Sequence, residues 1–263
     1  MPKEAMAVEK GASIARDSKR INLKQEDVPF QVNEAVNTLR GNIQLSGFNI
    51  KTIGITSALK HEGKSSVAFR LARSFSALNK RTLFVDCDIR NSHIMSRYNV
   101  HKKVKGLTEF LCGDSLLEEV LFTTSDDCLD IIFTGAVAPN PSELFSGDRF
   151  KNMLKRVRDN YDYVILDTAP VNAVIDGVLV TKECDGTVLV VESGVTDRIQ
   201  IQRAKQQLVY ADVKLLGVVL NKLGSKKSSS YGYGYGYGYG YGYGYGELDD
   251  HEKGPKKKKT RRR

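Results

Sequence analysis

The sequence predicts an α/β fold, a mostly parallel sheet with helices on both faces. Short runs rich in Val, Ile and Leu recur along the chain, and segments with helical spacing separate them. Strands of that composition alternating with helices imply a parallel sheet covered on both sides. The first helix starts at Phe30, where Val32, Val36, Leu39 and Ile43 form one face, and ends near Gly47. KTIGIT (51–56) reads as a strand and Lys64 to Asn79 as a helix with Val67, Leu71, Phe75 and Leu78 on one side. RTLFVD (81–86) and LDIIF (129–133) are further strands, and SELFSGDRFKNMLKRVRD (142–159) is helical. YDYVILD (161–167), GTVLVVE (186–192) and KLLGVVL (214–220) complete the strands, with a helix carrying Ile199, Ile201, Ala204 and Leu208 between the last two.

This rhythm divides the chain into a flexible polar arm (1–28), a folded domain (29–223) and a disordered tail (224–263). No stretch reaches the roughly 18–20 apolar residues of a membrane span, and the N-terminus lacks the apolar core of a signal peptide. A cytoplasmic protein is expected. The four cysteines, Cys87, Cys112, Cys128 and Cys184, form no C-x-x-C pair and suit a reducing compartment. The net charge of +9 is uneven: from Ser225 onward ten Lys/Arg against four Asp/Glu leave +6 in the tail and +3 in the body. The closing KKKKTRRR is a solvated tail or a footprint for anionic membrane or nucleic acid.

Chemistry gathers at the predicted strand ends. The first strand runs into ALKHEGKSS, which matches G-x-x-x-x-G-K-[ST] at Gly63, Lys64 and Ser65, with Ala58 in place of the first glycine. Backbone N–H groups of such a loop and the following helix N-terminus cradle phosphates. Ala58, Glu62, Gly63, Lys64, Ser65 and Ser66 are therefore the candidates for nucleotide contact. LFVDCDIR places Asp86 and Asp88 just past a buried strand, and VILDTAP does the same for Asp167. One such aspartate is common as a cap. Three, at the carboxyl ends of parallel strands beside a phosphate loop, indicate a nucleotide with Mg²⁺, and Asp86 or Asp88 could accept a proton from a hydroxyl nucleophile.

At these residues the chain resembles the bacterial tyrosine kinases (BY-kinases) of capsule and exopolysaccharide synthesis, over roughly residues 30–246. Members carry a Walker A loop, here ALKHEGKSS. They carry a Walker A′ motif, an apolar triplet then D-x-D-x-R, here LFVDCDIR. Their Walker B motif, an apolar triplet then D-x-x-P, is VILDTAP here, and PNPSELFSG (139–147) also resembles a family segment. The resemblance implies a P-loop NTPase fold using ATP and Mg²⁺. Lys64 and Ser65 would bind phosphates and Mg²⁺, Asp86 would activate the tyrosine hydroxyl, and Asp88 and Asp167 would organise the metal. Arg90 closes the A′ motif, and Asn221 stands where related P-loop ATPases touch adenine. The family often has Pro-Gly before the loop glutamate, where this chain has Lys60 and His61. Its first helix carries E-x-x-R-x-x-R-x-N for contact with a neighbouring subunit. Here Glu34, Arg40 and Asn42 keep that pattern and Asn37 replaces the first arginine.

The tail contains eight of the twelve tyrosines, Tyr231, Tyr233, Tyr235, Tyr237, Tyr239, Tyr241, Tyr243 and Tyr245, with glycine in every gap. As composition this is low complexity, or a base-stacking tract without the interleaved cations such tracts use. The family's autophosphorylation site is a C-terminal tyrosine cluster, which makes these phenols tethered substrates. From Leu223 to Tyr245 the chain spans roughly 75 Å stretched and about 26 Å as a coil. The resemblance further implies a homo-oligomeric ring when unphosphorylated, an octamer being the candidate size. It implies a transmembrane activator or adaptor, a cognate tyrosine phosphatase, and a place at the inner face of the cell membrane. The rival is a ParA/MinD-like ATPase switch, but those proteins have a lysine right after the first loop glycine, where this chain has Leu59.

Overall fold

The computed structural model describes residues 20–24, 26–98, 100 and 104–224. The tyrosine-glycine and basic tail lies outside the described residues. The elements run α1 (Phe30–Leu45), β1 (Thr52–Ser57), α2 (Lys64–Ser76), β2 (Thr82–Asp86), α3 (Ile94–Arg97), α4 (Leu107–Cys112), α5 (Leu117–Val120), β3 (Leu121–Thr123), β4 (Leu129–Ile132), α6 (Pro141–Ser146), α7 (Asp148–Asn160), β5 (Tyr163–Asp167), α8 (Asp176–Lys182), β6 (Gly186–Glu192), α9 (Arg198–Tyr210) and β7 (Leu215–Asn221). The seven strands form one sheet in the order β3-β4-β2-β5-β1-β6-β7. Every neighbouring pair is parallel except β3 with β4.

Successive strand residues point to opposite faces, and the sheet is apolar on both. Phe84 of β2 and Ile165 of β5 join Phe69, Leu71 and Phe75 of α2. Their neighbours Leu83, Val85, Val164 and Leu166 join Phe145, Phe150 and Val157 on the other side. On β6, Val188 and Val190 belong to the first cluster, while Leu189 and Val191 meet Ala204 and Leu208 of α9. A continuous apolar run is the result of covering both faces, which is why these strands were legible.

Three expectations change. The arm is not wholly loose: Ile21 bridges to Thr124 beside β3, Leu23 is buried, and Glu26 accepts from both Arg70 and Arg97. The first helix sits on α2 rather than in the core, so of its stripe Ile43 is buried and Leu39 partly so, while Val32 and Val36 stay half-buried. The helix expected over 142–159 is two, because Gly147 is extended (φ −74°, ψ 156°). Phe145 and Phe150 pack edge to face across the break, 5.1 Å between centroids.

Strand β1 is started by a side chain from far along the chain. Asp185 Oδ2 accepts the N–H of Lys51 (2.9 Å) and Thr52 (2.8 Å), and Arg158 pairs with Oδ1 at 3.0 Å. Burial works to raise the Asp185 pKa, but these hydrogen bonds outweigh it and hold the carboxyl below its ordinary value. A depressed carboxyl stabilises the fold above its unfolded pKa and ceases to as pH falls through the folded one. Asp185→Asn should therefore lower stability at pH 7 by about 1–2 kcal/mol. Urea unfolding of both proteins should show the gap closing as pH drops below about 4, the ordinary range for Asp.

Candidate active site

Strands β2, β5 and β1 are adjacent and parallel, so their carboxyl ends share one edge of the sheet. Asp86 lies in register with Asp167, and Asp167 with Ile55, the residue two before the end of β1. The three predicted aspartates and the phosphate loop therefore meet, and at their centre stands Lys64. Its ammonium donates to Asp88 Oδ2 at 2.8 Å and to the Ser65 hydroxyl at 3.2 Å, and lies 3.5 Å from Asp167 Oδ1. Lys64 and all three aspartates are buried.

The electrostatics are tense. Burial disfavours the Lys64 ammonium, but the charges of Asp167 and Asp88 outweigh it and push its pKa above the usual lysine value. Burial raises Asp167 as well, with Lys64 opposing. Asp86 is pushed up to about 8, first by burial and then by the Asp167 charge, against the Ser92 hydroxyl and Lys64. Ser92 donates to Asp86 Oδ2, and the Asp88 N–H reaches Oδ1 at 3.3 Å.

The loop turns into α2 through Gly63, at φ +89°. A Cβ there would lie 2.2 Å from Asn221 Nδ2, so both backbone and space require glycine. His61, in the position where the family often has glycine, is also left-handed (φ +66°), which costs an L-residue about 1–2 kcal/mol. In front of the loop is a cleft of about 500 Å³, lined in part by Gly63, Lys64, Ser65, Ser66, Asp88 and Arg90.

Other predicted residues are placed differently. Ala58 is fully buried in the core beneath α9. Glu62 is buried and turned into the protein: it accepts the N–H of Leu59 (2.6 Å) and of Glu192 (3.3 Å) and the Thr196 hydroxyl. Asn221 Nδ2 donates to the Glu62 carbonyl at 2.9 Å. The side chains of Glu62 and Asn221 thus brace the loop. Arg90 forks onto Asp176, Nε to Oδ2 at 2.5 Å and Nη2 to Oδ1 at 3.3 Å, tying the A′ loop to the start of α8. Arg40 folds inward onto Ser74 of α2, whose Oγ donates to Asn37, while Glu34 and Asn42 stay exposed. Sequence reasoning missed Ser92, Asp176, Glu192, Thr196 and Lys222, because no spacing rule links them to the loop.

A hard divalent cation fits the donors present. Both carboxylate oxygens of Asp167 are buried without a hydrogen bond, and Ser65 and Asp88 offer further oxygens. Among the described residues no three His, Cys, Asp or Glu side chains could hold a metal unaided. A cation here would need the rest of its shell from hydroxyl, water and phosphate, which suits Mg²⁺.

A family model described as an AAA domain (AAA_31) matches residues 50–194, the span from β1 past β6. Tyrosine-protein kinase CpsD of Streptococcus pneumoniae is 38% identical over 205 residues, which cover 77% of this chain and 90% of that one. The chain belongs to the bacterial tyrosine kinases, the BY-kinases. Among solved structures, the kinase domain of Escherichia coli tyrosine kinase ETK superposes with a TM-score of 0.71 at 30% identity, covering 81% of this kinase and 87% of that chain. The septum site-determining protein MinD of Pyrococcus horikoshii, solved with Mg-ADP, has a TM-score of 0.58 at 20% identity, covering 67% of this kinase and 72% of that chain. That likeness is one of fold. The BY-kinase is thus a tyrosine-protein kinase on a nucleotide-binding P-loop fold.

The raised Asp86 makes a testable trade-off. Between the ordinary Asp value and about 8, the folded kinase holds a proton that the unfolded chain releases. Stability should therefore fall as pH rises through that window. Asp86→Asn removes the titration, so the nucleotide-free variant should melt several degrees above wild type at about pH 8.5 and converge with it near pH 4. Parallel melting curves across that range would contradict the assignment.

Proposed function

We propose that this kinase uses Mg·ATP to phosphorylate the tyrosines of its own tail, Tyr231 to Tyr245, in trans within a ring. The observation that carries this reading is the buried Lys64–Asp88–Asp167 group at the mouth of a cleft, in a chain whose last 40 residues hold eight regularly spaced phenols. Lys64 meets the outer phosphates. Ser65, Asp88 and Asp167 hold Mg²⁺, which offsets charge on the phosphoryl group in flight. Asp86 takes the proton of the attacking phenol; burial and the Asp167 charge raise its proton affinity, and a cation bound beside it would draw the carboxyl back to its ionised form. The gap between Tyr and an active site is bridged by tethering, which gives an effective concentration of order mM. A MinD-like switch would share the fold but has no use for the phenols.

The same reading places the enzyme at the inner face of the membrane through a transmembrane adaptor. Among the described residues no helix is long and apolar enough to cross a membrane. KKKKTRRR adds attraction to anionic lipid of about 1 kcal/mol per well-placed cation. A tyrosine phosphatase resets the tail, and the cycle regulates capsular or exopolysaccharide synthesis and export. Glu34, Arg40 and Asn42 form the ring contact, with Arg40 leaving Ser74 to reach a neighbour.

Purified protein with Mg·ATP, followed by mass spectrometry of the tail, tests the kinase reading directly. Lys64→Met should abolish tail phosphorylation while keeping the fold, and undiminished phosphate in that variant would end the proposal. Asp86→Ala should lose phosphotyrosine formation strongly yet still bind ATP. An equal loss of both would reassign Asp86 to the metal.

The ring has its own test. Each phosphotyrosine adds about −1.5 to −2 charges, so eight would carry the +6 tail to roughly −6 to −10. Tails of that charge repel one another. Light scattering should find Lys64→Met protein in a ring and exhaustively phosphorylated protein mainly monomeric. Identical masses at low salt would rule the charge switch out.

A further inference from the structure

We propose that Lys222, at the root of the tail, is a positioning residue for the phosphate loop, required because His61 occupies a position that favours glycine. The inference rests on the nucleotide-binding reading of the cleft. His61 is held at φ +66° and Lys222, just past β7, at φ +58°. The Lys222 ammonium donates to the His61 carbonyl at 2.6 Å and pairs with Glu192 Oε2 at 2.8 Å. Its side chain keeps about a third of its exposure, whereas Glu192 keeps 18%. A half-covered lysine anchored by a more covered carboxylate is a fixed donor rather than a mobile surface charge.

The neighbouring contacts show what this donor fixes. Asn221 holds the Glu62 carbonyl, and the Glu62 carboxylate holds the Glu192 N–H. Residues 61 and 62 are therefore gripped from the ends of β6 and β7, immediately before Gly63 and Lys64 turn into the cleft. Left-handed His61 decides which way its carbonyl points. A glycine there would adopt the conformation unaided. An L-residue needs something to hold it, or the loop relaxes and its N–H groups lose their aim at a phosphate. Lys222 supplies that hold, and it also lines the cleft.

The test is a double-mutant cycle read by nucleotide binding, which needs no tyrosine chemistry. Full-length protein is titrated with Mg·ATP against a fluorescent nucleotide, as wild type, Lys222→Met, His61→Gly and the double variant. Lys222→Met should weaken binding about ten-fold in the wild-type background and less than about two-fold in the His61→Gly background. Tail phosphorylation at saturating ATP should stay within about two-fold of wild type, since the restraint acts on binding. An equal loss in both backgrounds would mean that Lys222 touches the nucleotide itself or supports the fold generally, and would overturn the proposal. Unchanged affinity in Lys222→Met would overturn it too. So would a melting temperature that falls in step with affinity in both backgrounds. Failure of the unaltered chain to bind Mg·ATP would instead bring down the nucleotide reading, and the positioning role with it.

Discussion

One buried lysine among three buried aspartates sets the terms for the rest of the structure. Lys64 reaches Asp88 and Asp167 together, and Asp86 stands behind them in register with Asp167. One cation cannot neutralise three carboxylates, and burial removes the water that would screen them. Burial and the charge of Asp167 meet the excess by raising the proton affinity of Asp86. A neutral side chain in place of Asp86 would be easier on the fold, whereas loss of Lys64 would leave the carboxylates without a counter-charge. The arrangement persists because the sheet order β2-β5-β1 gives three parallel strands a common edge, and an α/β sheet binds its ligand there.

The fold was legible because both faces of the sheet are covered. Val, Ile and Leu dominate the runs at 82–86, 163–167 and 186–192, and these are strands as expected. β3 was not legible: three residues on an edge, paired antiparallel to β4, leave no periodic signature. The division of 142–159 at Gly147 was equally hidden, since the apolar positions on either side of the break belong to one cluster. Helix α8 escaped for a related reason, as seven mostly buried residues show no amphipathic alternation.

In the site, residue types at strand ends identified what meets the cleft, and the structure brings Lys64, Asp86, Asp88 and Asp167 together. What sequence could not supply was direction. Glu62 sits within the motif yet faces the protein, and Arg40 sits within the ring pattern yet folds onto Ser74. A motif fixes backbone positions. Where each side chain turns depends on partners well removed along the chain, such as Thr196 for Glu62 and Ser74 for Arg40.

Those distant partners explain how a loop with two fewer glycines keeps its shape. The Walker loop here has Ala58 and His61 where glycine would give freedom, so less of its conformation comes from local backbone preference. Restraint enters from behind instead: Thr196 and Glu192 through Glu62, Asn221 through the Glu62 carbonyl, Lys222 through His61. All of these partners lie at or just beyond the ends of β6 and β7. The surface that the loop presents to the cleft is therefore shaped by the half of the sheet opposite the Asp86–Asp88 loop, and Lys64 is the point at which the two halves meet. A residue at that junction must satisfy both: its backbone belongs to the braced loop, its ammonium to the carboxylates across the cleft. Electrostatic preorganisation of this kind requires a rigid backing, since a charge aimed by a loose loop would spend its stabilisation on ordering the loop.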